Sequence, residues 1–82
     1  MSSSLDMVIG AGEAQRNAKL ATEHARRAEE LLGKGEKHAA VGELRKAVAA
    51  DPGSSHAFFK LGYLLDLIGE EEEAIAMYDR AV

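Results

Sequence analysis

His24, His38 and His56 are the residues of this chain most suited to holding a metal or moving a proton. They fall in three different helical segments, and no two are a helical turn apart. No His-Glu-x-x-His set or comparable ligand pattern exists, so the three read as surface histidines. Glu70 to Glu73 form the densest acidic run. A calcium loop needs alternating oxygen ligands around a tight turn. Four consecutive glutamates at the start of a helix instead complement the positive end of its dipole. The absence of cysteine excludes a disulfide framework, a cysteine-ligated zinc site and thiol catalysis. The serines cluster at residues 2–4 and 54–55, with no Gly-x-Ser-x-Gly elbow. Gly10 and Gly12 do not build a phosphate-cradling loop after a strand. No catalytic constellation emerges. The expectation is a binding protein rather than an enzyme, with no metal and no cofactor.

The aromatic residues are more informative. Phe58, Phe59, Tyr63 and Tyr78 all lie in the last third of the chain. In one helical segment Phe58, Leu61 and Leu65 recur at the spacing of a packing stripe. Phe59, Tyr63 and Asp66 fall on a different side, with His56 and Lys60 beside them. Exposed aromatic rings are effective anchors in protein interfaces. The same rings could equally pack on the first helix of the chain, and the residues alone leave both readings open.

The elements that position these residues are marked by proline and glycine. Asp51-Pro52-Gly53-Ser54-Ser55 is turn chemistry followed by a helix N-cap at Ser54 or Ser55. Gly33-Lys34-Gly35 makes a second break and Gly69 a third. The segments between are rich in Ala, Leu, Glu, Lys and Arg, which are good helix formers, and none alternates like a strand. The reading is four helices, at about 13–33, 36–50, 54–68 and 70 to the end, after a frayed start over the first dozen residues. Short connections between helices of similar length imply antiparallel neighbours.

Shifted by 34 residues, the sequence repeats. Leu31 falls on Leu65, Gly35 on Gly69, Glu36 on Glu70, Ala40 on Ala74, Ala47 on Ala81 and Val48 on Val82. Ala28 on Gly62 and Val41 on Ile75 add similar pairs. The matches are the small and apolar positions that pack, plus the glycine between two helices. With a helix–turn–helix per unit, this period resembles the tetratricopeptide repeat. Phe58-x-x-Leu61-Gly62-x-x-Leu65 stands where that family has Trp-x-x-Leu-Gly-x-x-Tyr, and Ala74-x-x-x-Tyr78 where it has Ala-x-x-x-Phe. The first unit departs from the pattern: His24 replaces the large aromatic and Arg27 the leucine.

The resemblance implies an all-α fold of antiparallel helix-turn-helix pairs stacked as a short α-solenoid. Residues 1–20 are then an N-terminal extension, partly helical and continuous with the first helix. Residues 21–54 are a degenerate first repeat, and residues 55–82 a second one that ends without a capping helix. It further implies a concave groove lined by the first helix of each pair, which takes an extended or helical peptide. His56, Phe59, Lys60, Tyr63 and Asp66 would face that groove. Glu29 and Tyr63 occupy the places where asparagines clamp a peptide carboxylate in the family, so a clamp of that type is not expected.

An 82-residue chain can bury only one small core. Its net charge of −4 is uneven. Residues 1–20 are neutral, residues 21–50 carry +1 and residues 51–82 carry −5. That acidic half argues against nucleic acid as a partner. Apolar runs such as Met7-Val8-Ile9 are far too short for a membrane span, and no secretory leader is recognisable. A soluble, cytoplasmic protein with a protein or peptide partner is the expectation. The alternative is a structural self-assembly element. Met7, Ala11, Ala14, Ala18, Ala21, Ala25, Ala28 and Leu32 are spaced alternately by four and three, a heptad seam of alanine through which a homo-oligomer could form. Two visible repeats are also fewer than such stacks usually need, which points to an oligomer or to a longer array.

Overall fold

In the computed structural model the backbone is described for residues 2–82 and the side chains for residues 17–82. Four helices follow in order: α1 (Ser2–Gly33), α2 (Lys37–Ala50), α3 (Ser55–Leu67) and α4 (Glu71–Ala81). No strand occurs among the described residues, so the fold is all-α. α2, α3 and α4 lie within a residue of the bounds read from the sequence. α1 does not: it begins at Ser2, without the frayed dozen residues expected before it. Helix propagation adds one hydrogen bond per residue once a nucleus exists. Gly10 and Gly12 cost only about 1 kcal/mol each relative to alanine, too little to break a helix of 32 residues.

The two glycine turns are the same structure built twice. After α1, the Gly35 N–H donates to the Leu32 carbonyl at 3.0 Å and the Glu36 N–H to the Leu31 carbonyl at 2.9 Å. After α3, Gly69 donates to Asp66 at 3.1 Å and Glu70 to Leu65 at 2.8 Å. This is the Schellman closure, which satisfies the last carbonyls of a helix and needs a left-handed residue. Gly35 and Gly69 supply it with φ of +79° and +87°. The identities at Leu31/Leu65, Gly35/Gly69 and Glu36/Glu70 thus mark one stop-and-restart motif. The α2–α3 connection uses other chemistry. Pro52 cannot continue α2. The Gly53 N–H donates to Asp51 Oδ1 at 3.3 Å, and Ser54 caps α3 by accepting from the Ala57 N–H at 3.2 Å.

Each helix packs on the next, giving two antiparallel hairpins, α1–α2 and α3–α4, joined through α2 and α3. Leu44, Leu61 and Leu65 are the largest fully buried side chains, each contributing roughly 1.5–3 kcal/mol by leaving water. Alanines 21, 28, 40, 47 and 74 fill the narrow places of the core. Gly62 marks the closest approach: a Cβ there would lie 2.9 Å from two ring carbons of Tyr78 and 3.2 Å from the Ala74 carbonyl oxygen.

The departures of the first hairpin from the repeat find their reason here. Leu61 is buried between α3 and its neighbours, whereas Arg27, its equivalent, is exposed because no described element covers that side of α1. His24 and Glu43 stand where the second hairpin has Phe58 and Met77. They join α1 to α2 by a hydrogen bond from His24 Nδ1 to Glu43 Oε2 at 2.6 Å, with both side chains more than four-fifths buried. A charge-assisted bond there replaces apolar contact.

Candidate functional site

Successive turns of α3 carry His56, Phe59, Lys60 and Tyr63, at the spacing that puts side chains on one helical face. Ala28, Glu29 and Leu32 face them from α1, and Leu44 and Leu64 form the floor. The result is an open cleft of about 300 Å³, apolar over most of its lining. Phe59 is 56% exposed and Tyr63 51% exposed, so neither ring belongs to the core. Phe59 instead leans on Tyr78 of α4, centroids 5.6 Å apart and planes tilted by 53°, a favourable arrangement for two quadrupoles. Phe58, one residue earlier, is buried, with the Arg80 guanidinium 4.8 Å from its ring centroid.

An ion pair between Lys60 Nζ and Glu29 Oε1 spans the cleft. Beyond it a second depression, of about 310 Å³, continues along Ala18, Ala21, Thr22 and Ala25 of α1 toward Asp51 and Ser54. The two share Glu29, His56 and Lys60 and form one furrow crossed by the ion pair.

Of the five residues that the sequence pointed to, the structure brings His56, Phe59, Lys60 and Tyr63 together on this cleft. Asp66 is exposed and does not line this cleft. On the α1 wall the sequence reading places Glu29 at the groove but does not single out Ala28 and Leu32. Both nonetheless belong to the alanine seam. The described part of that seam is largely used within the molecule: Ala21 and Ala28 are buried, and Ala25 and Leu32 pack against the core. Ala18 is exposed. Met7, Ala11 and Ala14 lie outside the described side chains.

No protein-family model matches this chain, and no curated protein matches it significantly.

Among the described residues, no group of three or more His, Asp or Glu is arranged to hold a metal ion. His38 is exposed on α2, and His24 is engaged with Glu43. That bond, ahead of the nearby Lys46 ammonium, holds the Glu43 carboxyl below its ordinary value. In the acidic run, Glu73 receives a two-pronged bond from Arg45 of α2, with Nη2 to Oε1 at 2.9 Å. The bond lowers the Glu73 carboxyl and raises the Arg45 guanidinium. Glu71 and Glu72 lie in the first turn of α4, at the positive end of its dipole. No helix among the described residues is long and apolar enough to cross a membrane. The cleft therefore offers apolar surface, two exposed aromatic rings and a charged bridge.

Proposed function

We propose that this chain is a protein–protein interaction module of the tetratricopeptide type, which takes a partner peptide or helix in the cleft between α1 and α3. The observation that carries this reading is the pair Phe59 and Tyr63. Both rings stand more than half exposed on the rim of an apolar cleft, where solvent exposure is a standing cost that a partner would remove. Buried aromatic anchors supply much of the energy of such interfaces. The Lys60–Glu29 pair gives the occupant a polar feature against which to set its register. The module is read as non-enzymatic, cytoplasmic and indifferent to nucleic acid, because the chain lacks cysteine and its last 32 residues are acidic.

Peptides selected on the chain from a displayed random library test the reading. Phe59→Ala and Tyr63→Ala should each weaken the selected peptides at least about tenfold, the effect of losing roughly 1.4 kcal/mol of contact. Helical circular dichroism should stay unchanged. Unfolding of both variants would place the rings in the core and end the groove assignment. A second reading, self-assembly through α1, is favoured by its length of 32 residues against 14 for α2.

A further inference from the structure

The angle between the two hairpins is held by less packing than either hairpin has within itself. Among the described residues α2 against α3 is the only broad contact between them, and it is the smallest of the three helix–helix junctions. Val41 and Leu44 of α2 and Leu61 and Leu64 of α3 are buried in the core they share. Contact along one pair of helices fixes their separation but resists rotation about their common line only weakly.

Two ion pairs sit on either side of that line. Leu44 floors the cleft between α1 and α3, so α2 lies behind the cleft, and Arg45 of α2 reaches Glu73 of α4 directly. α1 and α3 therefore form an inner layer and α2 and α4 an outer one. In the inner layer Lys60 Nζ of α3 holds Glu29 Oε1 of α1. In the outer layer Arg45 holds Glu73 with both arms of its guanidinium, Nη2 to Oε1 at 2.9 Å. The other described pairs, His24–Glu43, Arg26–Glu30 and Lys46–Glu43, stay within the first hairpin. Among the described residues no further side-chain hydrogen bond crosses from one hairpin to the other. Each crossing pair is partly exposed and adds little to stability by itself. Placed on opposite sides of a single junction, the two pull against each other.

We propose that the Glu29–Lys60 and Arg45–Glu73 pairs are opposed tethers across the α2–α3 junction and together set the width of the α1–α3 cleft. Drawing α2 and α4 together rotates the hairpins about that junction and parts α1 from α3, and the reverse rotation narrows the cleft. The width of the cleft is thus governed from the face opposite its mouth. A group that competes for Arg45 or Glu73 releases the outer tether and lets the cleft close, which couples the two faces without any contact between them. The device does not depend on what occupies the cleft.

The chain has no cysteine, so paired cysteines carrying spin labels report distances in the otherwise intact protein. Glu30→Cys with Asp66→Cys spans the inner layer, and Ala49→Cys with Ala76→Cys the outer one; all four positions are exposed. Glu29→Gln is expected to lengthen the mean inner distance. Glu73→Gln is expected to lengthen the outer distance and to shorten the inner one. Each shift should reach about 1.5 Å, the movement that a rotation of roughly 10° gives helices whose axes lie about 9 Å apart. The exchanges Glu29→Lys with Lys60→Glu, and Arg45→Glu with Glu73→Arg, keep each pair with its charges swapped and should restore the original spacing. They carry the test if a glutamine variant loses its helical circular dichroism. Three results would overturn the proposal: distances that ignore both glutamine variants, inner and outer distances that lengthen together in Glu73→Gln, or swapped pairs that fail to restore the spacing.

Discussion

Gly62 and Tyr78 show how a single contact decides the fit of α3 on α4. The second hairpin places a large ring against a residue with no side chain, while the first holds Ala28 and Leu44 at the equivalent positions, both buried. The two pairs fill similar space by opposite means, since close packing penalises overfilling and voids alike. Gly62→Leu should destabilise the protein by about 1–3 kcal/mol, read as a drop of roughly 4–20 °C in the melting temperature. Gly62→Ala should cost less, and Tyr78→Leu added to it should recover stability by recreating the pair of the first hairpin. A double mutant no better than the sum of its parts would show that these positions do not couple. The His24–Glu43 bond makes a different demand. The folded carboxyl of Glu43 is depressed below its ordinary value of 4.5, chiefly by His24. Its contribution is therefore complete above that value and is lost as pH falls through the lower folded one. Melting temperatures of the wild type and Glu43→Gln should differ at neutral pH and converge in acid. A constant difference would remove the charge from the explanation.

At the scale of the helices, termination matters more than propensity. Both hairpins turn on a glycine with positive φ, followed by a glutamate whose backbone closes the Schellman loop. An alanine at such a position costs roughly 1–2 kcal/mol in backbone strain. Neither glycine has a neighbour that an added Cβ would strike, so the cost is purely conformational. Gly35→Ala and Gly69→Ala should therefore destabilise by similar amounts in thermal melts. A large inequality would show that the two turns are not equivalent. The ends of α4 are set for its dipole, with Glu71, Glu72 and Glu73 in the first turn and Arg80 in the last. Glu73 also reaches Arg45 of α2, so the acidic run both starts a helix and ties the two hairpins together.

For the molecule as a whole, the question is which apolar surfaces remain uncovered. At 1.5 Å per residue α1 is about 48 Å long and α2 about 21 Å, so α2 covers less than half of α1. Ala18 is exposed where Ala21 and Ala28 are buried, which marks where intramolecular packing ends. If α1 self-associates along its seam, Ala14→Glu with Ala18→Glu should convert an oligomer to a monomer of lower stability in light scattering. A wild-type chain that stays monomeric at high micromolar concentration would exclude that assembly.

The local structure was legible in the residues themselves. Proline, the paired glycines and the serine cap are short-range devices, and the chemistry of a turn acts over four or five residues. The 34-residue period exposed the hairpins because a repeated packing demand leaves small and apolar residues at repeated positions. Side-chain burial was not legible in the same way. Phe58 and Phe59 are adjacent and chemically identical, yet one is buried and the other half exposed, because the first is enclosed in the hairpin while the second meets only Tyr78 of α4 on one side and the open cleft on the other. Asp66 lies one turn beyond Tyr63 on α3, yet it is exposed and outside the cleft lining. The seam on α1 has the spacing of a coiled coil, and only the position of α2 turned half of it into core. Turns depend on neighbours along the chain, whereas exposure depends on which helix lies across the gap, and that is settled only when all four helices are in place.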